Sequence, residues 1–296
     1  GFKMKNKYKL IVDSSCDLPV ELYEKYNIGV TDLIINFGER TYRDRKDINT
    51  KEILEIYQRD HLIPKTSALN IADLTEVFEN NLNEFDHIFF LPISSGVSSI
   101  FNNARLAAQA FGEDKVSVLD SKSLSSGTAL EALGICYDIE AGLDYKDIVN
   151  NHIERVKRVS MQFTFDNMEL LYKGGRCSGM AFLLGNKLHL HPIVRLGQDG
   201  KMSVYKLKRG KDISNSVDLM TNEFLEQLNA GNIDLSYPIM IPNVVSPNGV
   251  KRVQKNLEKF VGDKILFPVD ASGIICCHVG GDTTGIAYML KEPLNK

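Results

Sequence analysis

The stretch HIFFLPISSGVSSIFNNA, residues 87–104, decides the fold. It begins with an apolar run, continues with serines around Gly96, and ends in a segment whose apolar residues have helical spacing. A short apolar run bounded by turn residues is typical of a buried strand, and serines at such a turn are typical of helix caps. The stretch therefore predicts a strand, a polar turn and a helix, in that order.

The same pattern occurs twice more in the N-terminal half. Residues 8–12 run into DSSCD (13–17), and residues 116–119 run into DSKS (120–123). Each polar turn is followed by a helical segment, and we predict that Asp17 caps the first of these helices. Alternating strands and helices predict a parallel sheet, which would bring the three polar turns to one rim. This rim is the expected place for a ligand.

The pattern changes after about residue 144. Short strands with tighter turns follow, including a hairpin around GQDG (197–200), and the apolar run of GIICCHV (273–279) predicts another buried strand. PKTS (64–67) is predicted to be a polar turn before a helix. We therefore predict two domains: an α/β domain with a mostly parallel sheet over residues 4–150, and an α+β domain over residues 151–296.

Composition narrows the class of protein. The 296 residues include 35 Lys and Arg against 38 Asp and Glu, and 43% are hydrophobic. This balance is typical of a soluble globular protein and disfavours a disordered chain or a nucleic-acid-binding one. Apolar runs are too short for a membrane span, so no stable membrane insertion is expected. Five cysteines without a CxxC pair fit a reducing compartment, and we expect a cytoplasmic protein.

The serine turn carries the clearest chemical signal. Ser94, Ser95 and Ser98 lie around Gly96, between the predicted strand and the start of a helix. Free backbone N–H groups and the helix dipole favour an anion at such a position. Simple helix capping by these serines is the competing interpretation.

A serine hydrolase is the alternative function. Gly96-Val97-Ser98 resembles the beginning of a nucleophile elbow, and His278 could act as the base, oriented by Asp13 or Asp120. The second glycine of the elbow is replaced by Ile100. A β-branched residue is unfavourable in that strained turn, so the motif is incomplete.

Other catalytic motifs are absent from the sequence. It contains no GxxxxGK[ST], no GxGxxG after a strand and no HExxH. His189 and His191 alternate along one predicted strand, but two histidines without a third ligand indicate a polar strand face rather than a metal site. We therefore expect no metal and no cofactor.

Taken in order, these segments resemble the DegV family of bacterial fatty-acid-binding proteins, whose better-studied members are lipid-carrying subunits of a fatty acid kinase. The resemblance covers nearly the whole chain and is collinear. It rests on eight blocks: IVDSSCDLP, YRDRKDI, PKTS, ISSGVSSIFNNA, VLDSKSLSSGTAL, LLYKGGRCS, HPIVRLGQDGK and HVGGDTTGI.

The resemblance implies a lipid-binding protein rather than an enzyme, with a long-chain fatty acid in an apolar tunnel between the two domains. It implies that Thr66 and Ser98 hold the carboxylate and that His278 lies beside them. The serine turn and the His-Val-Gly turn add Ser94, Ser95 and Gly280 to the expected ligand site. A separate fatty acid kinase is the implied partner, with Arg176 and Lys208 as its expected contacts.

Several positions depart from the family pattern, among them Ile100, Asp282 and Lys208. Ile100 stands where a threonine is usual, and Asp282 places a carboxylate near the expected head-group site. Lys208 stands where an arginine is frequent, and a lysine cannot make the same planar two-pronged contact. These departures predict a different head-group geometry.

Overall fold

The structure is a computed structural model that describes residues 7–183, 185 and 189–294. Within these residues the strands are β1 (Tyr8–Asp13), β2 (Gly29–Thr31), β3 (Ile34–Phe37), β4 (Arg40–Arg43), β5 (Lys65–Ser67), β6 (His87–Leu91), β7 (Val116–Val118), β8 (Val159–Phe165), β9 (Cys177–Ser178), β10 (Leu190–Leu196), β11 (Met202–Arg209), β12 (Ile239–Val244), β13 (Leu266–Asp270) and β14 (Thr283–Met289). The α-helices are α1 (Val20–Lys25), α2 (Thr50–Asp60), α3 (Ile71–Leu82), α4 (Ile100–Ala108), α5 (Ser125–Glu140), α6 (Tyr145–Val156), α7 (Glu169–Gly174), α8 (Ser214–Asn229), α9 (Pro247–Val261) and α10 (Gly273–Val279). None of the described helices is both long and apolar enough to cross a bilayer.

The predicted parallel sheet is confirmed. Its four strands lie in the order β2-β1-β6-β7, and every neighbouring pair is parallel. All five residues of β6 are buried, as expected for a central strand covered on both faces. The polar turns after β1, β6 and β7 therefore emerge at the same edge of this sheet.

The second half contains a mixed sheet, in agreement with the predicted α+β class. Seven strands lie in the order β13-β12-β14-β8-β10-β11-β9. β10 and β11 form the predicted hairpin around residues 197–200. Three short strands form a further sheet in the order β4-β3-β5, and here the prediction of a turn at PKTS is wrong. Residues 65–67 form an edge strand instead, with Thr66 opposite Ile35.

The run GIICCHV forms helix α10, so the predicted strand is wrong. Ser272 caps the helix by accepting a hydrogen bond from Ile275 N–H. The Asp44 carboxylate accepts hydrogen bonds from Gly273 N–H and Ile274 N–H at its first turn. A helix that is apolar on all sides is stable when it is buried on all sides, and every residue of α10 is buried.

Helix α5 is the central element between the two large sheets. It packs against β1 of the parallel sheet and against β8, β12 and β14 of the mixed sheet. One hydrophobic cluster extends through this region from Leu10 to Met289. The domain division at residues 150 and 151 stays a prediction, since α5 belongs by sequence to the first half and contacts the second.

Candidate functional site

A cavity of about 550 Å³ opens at the rim where the serine turn ends. The serine loop (residues 94–99), strand β5, helix α10 and the segment after α7 surround it. Its lining residues are Leu33, Thr66, Ser67, Ala68, Ile93, Ser95, Gly96, Val97, Ser98, Ser99, Arg176, Ile274 and His278. We call it the head-group cavity. It brings Thr66, Ser95, Ser98, Arg176 and His278 together from distant parts of the sequence.

Thr66 and His278 are adjacent in the head-group cavity. Thr66 Oγ1 lies 3.3 Å from His278 Nε2. Burial and, to a smaller extent, the nearby Arg176 guanidinium together lower the pKa of His278 to about 4. The imidazole is therefore neutral at pH 7 and can exchange a hydrogen bond with the threonine hydroxyl without adding a buried charge.

Ser98 presents a hydroxyl at the beginning of α4. Its Oγ accepts a hydrogen bond from Ile100 N–H at 3.2 Å, which leaves the hydroxyl hydrogen free to donate elsewhere. The backbone N–H groups of Val97 and Ser98 donate to Ser94 O, so the serine loop is a tight turn. Ser98 is thus a positioned donor in the same cavity as Thr66.

Two of the expected ligand residues do not line this cavity. Ser94 is fully buried, and its hydroxyl donates to Gly200 O at 2.6 Å, which ties the serine loop to the β10-β11 hairpin. Gly280 ends α10 with a positive φ of 77°. Ser95 does line the cavity, but its hydroxyl donates to the Asp120 carboxylate. Contacts of Ser94, Ser95 and Gly280 with a ligand therefore stay predictions.

The structure shows where the residues that depart from the family pattern lie relative to the head-group cavity. Ile100 is fully buried at the first turn of α4. Asp282 lies outside the head-group lining, and its carboxylate accepts a hydrogen bond from Ser246 Oγ at 2.8 Å. Lys208 is exposed on β11, opposite His191, and does not line the cavity. The charge on Asp282 is therefore already paired with a hydroxyl.

Buried carboxyl groups support the rim, and sequence reasoning did not identify this role. Asp13 accepts hydrogen bonds from Ser15 and from Ile93 N–H, and burial raises its pKa. Asp17 does not cap α1 as predicted; it accepts hydrogen bonds from Ser125 Oγ and Ser272 N–H. Burial raises the pKa of Asp17 to about 8 and that of Asp44 to about 6.

The geometry does not favour a serine hydrolase. Asp13 faces Ser15 and the backbone of Ile93, while Asp120 accepts hydrogen bonds from Ser95 and from Lys122 N–H. Neither aspartate is a hydrogen-bond partner of His278 in the described part of the chain, and His278 Nε2 lies beside Thr66. The carboxylate that would orient a catalytic histidine is missing from this arrangement.

A small apolar cavity lies on a neighbouring face of α10. It measures about 20 Å³, close to the space of a single water molecule. Ile274 and His278 of α10 line the head-group cavity, while Ile275 and Val279 line the apolar one. Its other lining residues are Leu124, Ser125, Met161, Phe163, Pro242, Asn243, Val244, Ala271, Thr283 and Gly285. The expected apolar tunnel stays a prediction, because this space is nearly closed.

Comparison with known families identifies the chain. A family profile described as an uncharacterised protein of the DegV family matches residues 7–291. The chain belongs to the DegV family. A DegV domain-containing protein from Clostridium acetobutylicum is 30% identical, over 96% of this chain and 99% of that protein. Another from Staphylococcus aureus is 27% identical, over 96% and 99% of the two chains.

Solved structures of DegV family proteins have the same fold. A fatty-acid-binding DegV family protein from Thermus thermophilus has a TM-score of 0.84 and 26% identity, and the match covers 96% of this chain and all of that one. A fatty-acid-binding DegV family protein from Streptococcus agalactiae has a TM-score of 0.85 and 21% identity, covering 98% of this chain and all of that one. These matches confirm the predicted fold class.

Proposed function

We propose that this DegV family protein binds one long-chain fatty acid, as a lipid-binding protein rather than an enzyme. The carboxylate of the fatty acid lies in the head-group cavity, and the hydrocarbon tail of the fatty acid extends past α10 into the apolar space against α5. The observation that supports this proposal most directly is that Thr66, Ser98 and a neutral His278 line the same cavity. The similarity to a fatty-acid-binding protein from Thermus thermophilus supports the proposal.

The head-group cavity suits a carboxylate for electrostatic reasons. A carboxylate loses hydration when it leaves water, and it is stable in a partly buried site only where hydrogen-bond donors replace the lost water. Thr66 and Ser98 supply hydroxyl donors, and the exposed guanidinium of Arg176 lies at the margin of the cavity. Hydrogen bonds to a charged acceptor are about twice as strong as neutral ones.

The tail supplies most of the affinity in this proposal. Each buried methylene contributes about 0.8 kcal/mol before the ordering costs of binding. The apolar cavity must widen to admit a long chain, because its present volume is only about 20 Å³. Met161 lines it, and the unbranched thioether of methionine changes rotamer easily to fill or vacate space.

Titration of lipid-free protein with palmitate tests the proposal. The protein is denatured, extracted, refolded and titrated, and mass spectrometry of the extract identifies any lipid that co-purified. We expect saturable binding of one palmitate, weakened about 5-fold to 150-fold by Ser98→Ala through loss of a hydrogen bond to a charged group, about 1 to 3 kcal/mol. Ester hydrolysis should be absent from both proteins. Refolded wild-type protein that binds no fatty acid contradicts the proposal.

We further propose that the bound carboxylate is presented to a separate, cytoplasmic fatty acid kinase. Arg176 supports this, because it is exposed and lines both the head-group cavity and an adjoining cavity of about 760 Å³. That second cavity also carries Arg195 and Lys201, which give its wall an excess of positive charge. Such a surface suits an acidic partner.

A charge reversal at Arg176 tests the partner surface. With a fatty acid kinase, ATP and palmitate at a concentration that saturates the variant, Arg176→Glu is expected to lower acyl-phosphate formation at least 10-fold, because it places a negative charge in the docking surface. Lys115→Glu, at an exposed site outside both cavities, serves as the matched control. Unchanged acyl-phosphate formation by Arg176→Glu would show that the kinase docks elsewhere.

A further inference from the structure

A third, much smaller cavity lies between α5, β8 and the β10-β11 hairpin. It measures about 10 Å³. Its lining residues are Lys122, Ser123, Glu131, Val156, Val159, Met161, Leu196, Gly197 and Gln198. Met161 also lines the apolar cavity, so its side chain separates the two spaces. Nothing in the proposed function uses this cavity.

The cavity contains unpaired polar atoms. Glu131 is fully buried, and neither of its carboxyl oxygens has a hydrogen-bond partner among the described residues. Ser123 is 2% exposed, and its Oγ also lacks a partner there. A buried polar group without a partner costs about 1 to 3 kcal/mol, and more when it is charged. These atoms therefore require a guest that makes hydrogen bonds.

The volume of this cavity limits which molecule or ion it can bind. A cavity of about 10 to 15 Å³ accommodates one water molecule, which needs two to four polar partners. Calcium or magnesium would need about six oxygen ligands and more space. The described residues contain no cluster suited to a metal, and the Arg155 guanidinium already supplies positive charge near Glu131. An uncharged water molecule satisfies both the volume and the chemistry.

We propose that this cavity binds one ordered water molecule, which bridges the Glu131 carboxyl group and the Ser123 hydroxyl. Burial raises the pKa of Glu131 well above its ordinary value, the Asp120 charge raises it further, and Arg155 opposes the shift. A protonated carboxyl both donates and accepts hydrogen bonds, as does a hydroxyl. His152 Nε2 lies 3.9 Å from Glu131 Oε1, too far to replace the water.

The water site lies directly behind the serine loop. Ser123 O accepts a hydrogen bond from Ser94 N–H at 2.8 Å. His152, which neighbours Glu131, lies with Nε2 2.8 Å from Asp120 O, and Asp120 holds Ser95. The bridging water therefore connects α5 to the turn that fixes the serine loop. The proposal of this water site does not depend on whether the ligand of the head-group cavity is a fatty acid.

Crystal structures of the wild type and of Glu131→Leu test the site directly. The wild type should show one oxygen within about 2.7 to 3.2 Å of both Glu131 and Ser123 Oγ, and the leucine variant should lose it. Ser123→Ala is the second variant, in case Glu131→Leu does not fold, and it too should lose the oxygen. An empty cavity in the wild type, or an oxygen that stays in place in either variant, overturns the proposal.

A double-mutant cycle measures the bridge in solution. Glu131 and Ser123 have no direct hydrogen bond, so coupling between them reports the shared water. In urea unfolding we expect Ser123→Ala and Glu131→Leu to be non-additive by about 10-fold in the unfolding equilibrium constant.

Ser160→Ala combined with Glu131→Leu is the matched control for this cycle. Ser160 is another fully buried serine, on β8, and its side chain points to the opposite face of the sheet from Met161. This control pair should be additive within about 2-fold. Additive effects in the Ser123 pair overturn the proposal.

Discussion

Ser98→Asp is expected to abolish palmitate binding, with a loss of at least 100-fold in affinity. The substitution replaces a hydroxyl donor by a second carboxylate in a half-buried cavity that, by our proposal, holds the carboxylate of the ligand. Two like charges in direct contact cost several kcal/mol, and about 2.7 kcal/mol already corresponds to 100-fold. Isothermal titration of lipid-free protein with palmitate measures this loss.

A ligand of the same length supplies the control for this prediction. Hexadecanol has the same hydrocarbon tail but no charge, so its affinity should change by less than about 10-fold in Ser98→Asp. Equal losses for the alcohol and the acid would indicate a collapsed binding site. Unchanged affinity for the acid would place the head group away from Ser98.

Glu131→Gln is expected to stabilise the protein at neutral and alkaline pH. The wild-type carboxyl is fully buried, and its pKa is raised by burial and by Asp120, against the opposing effect of Arg155. Above the pKa of an unfolded glutamate, about 4.3, folding must either retain a proton or bury a charge. The glutamine side chain avoids both costs and keeps a donor and an acceptor for the bridging water.

The sign of the pH dependence follows from proton binding. Between about pH 4.3 and the raised native pKa, the folded state binds more protons than the unfolded state, so wild-type stability falls as pH rises. Wild type and variant should therefore have similar stability at pH 4 and diverge to about 1 to 4 kcal/mol at pH 8. Contributions from Asp17 and Asp44, which do not contact Glu131, are common to both proteins and cancel in the difference.

Urea unfolding at a series of pH values measures this divergence. Glu154→Gln is the matched control, because Glu154 is an exposed glutamate on α6 whose side chain is 70% accessible. It should follow the wild type at every pH. A Glu131→Gln curve parallel to the wild-type curve would show that the buried carboxyl does not change protonation on unfolding.

Local sequence patterns predicted the elements that depend on local interactions. Buried strands followed by polar turns identified the parallel sheet, and the GQDG turn identified the β10-β11 hairpin. The prediction of a strand at residues 273–279, which form α10, failed because a short apolar run fits a buried strand and a buried helix equally well. The Asp44 carboxylate stabilises the helix start, and this contact comes from 229 residues away in the chain, so the local pattern does not contain it.

The candidate site shows the same division between local and distant signals. Thr66, Ser98 and His278 were found through collinear blocks of resemblance, and the structure places them around one cavity. The supporting role of Asp17 was missed because its bond to Ser272 N–H spans 255 residues. Glu131 was missed because a glutamate on a helix is usually exposed, and only the packing of α5 between two sheets buries it.

Helix α10 contributes neighbouring side chains to two different spaces, Ile274 and His278 to one and Ile275 and Val279 to the other. A rigid shift or rotation of this single helix would therefore alter both spaces together. During evolution, changes in how the protein recognises the polar end of a guest and how much hydrocarbon it admits would be mechanically linked. New specificity would then arise more easily in side chains that project from neighbouring strands than in the helix itself.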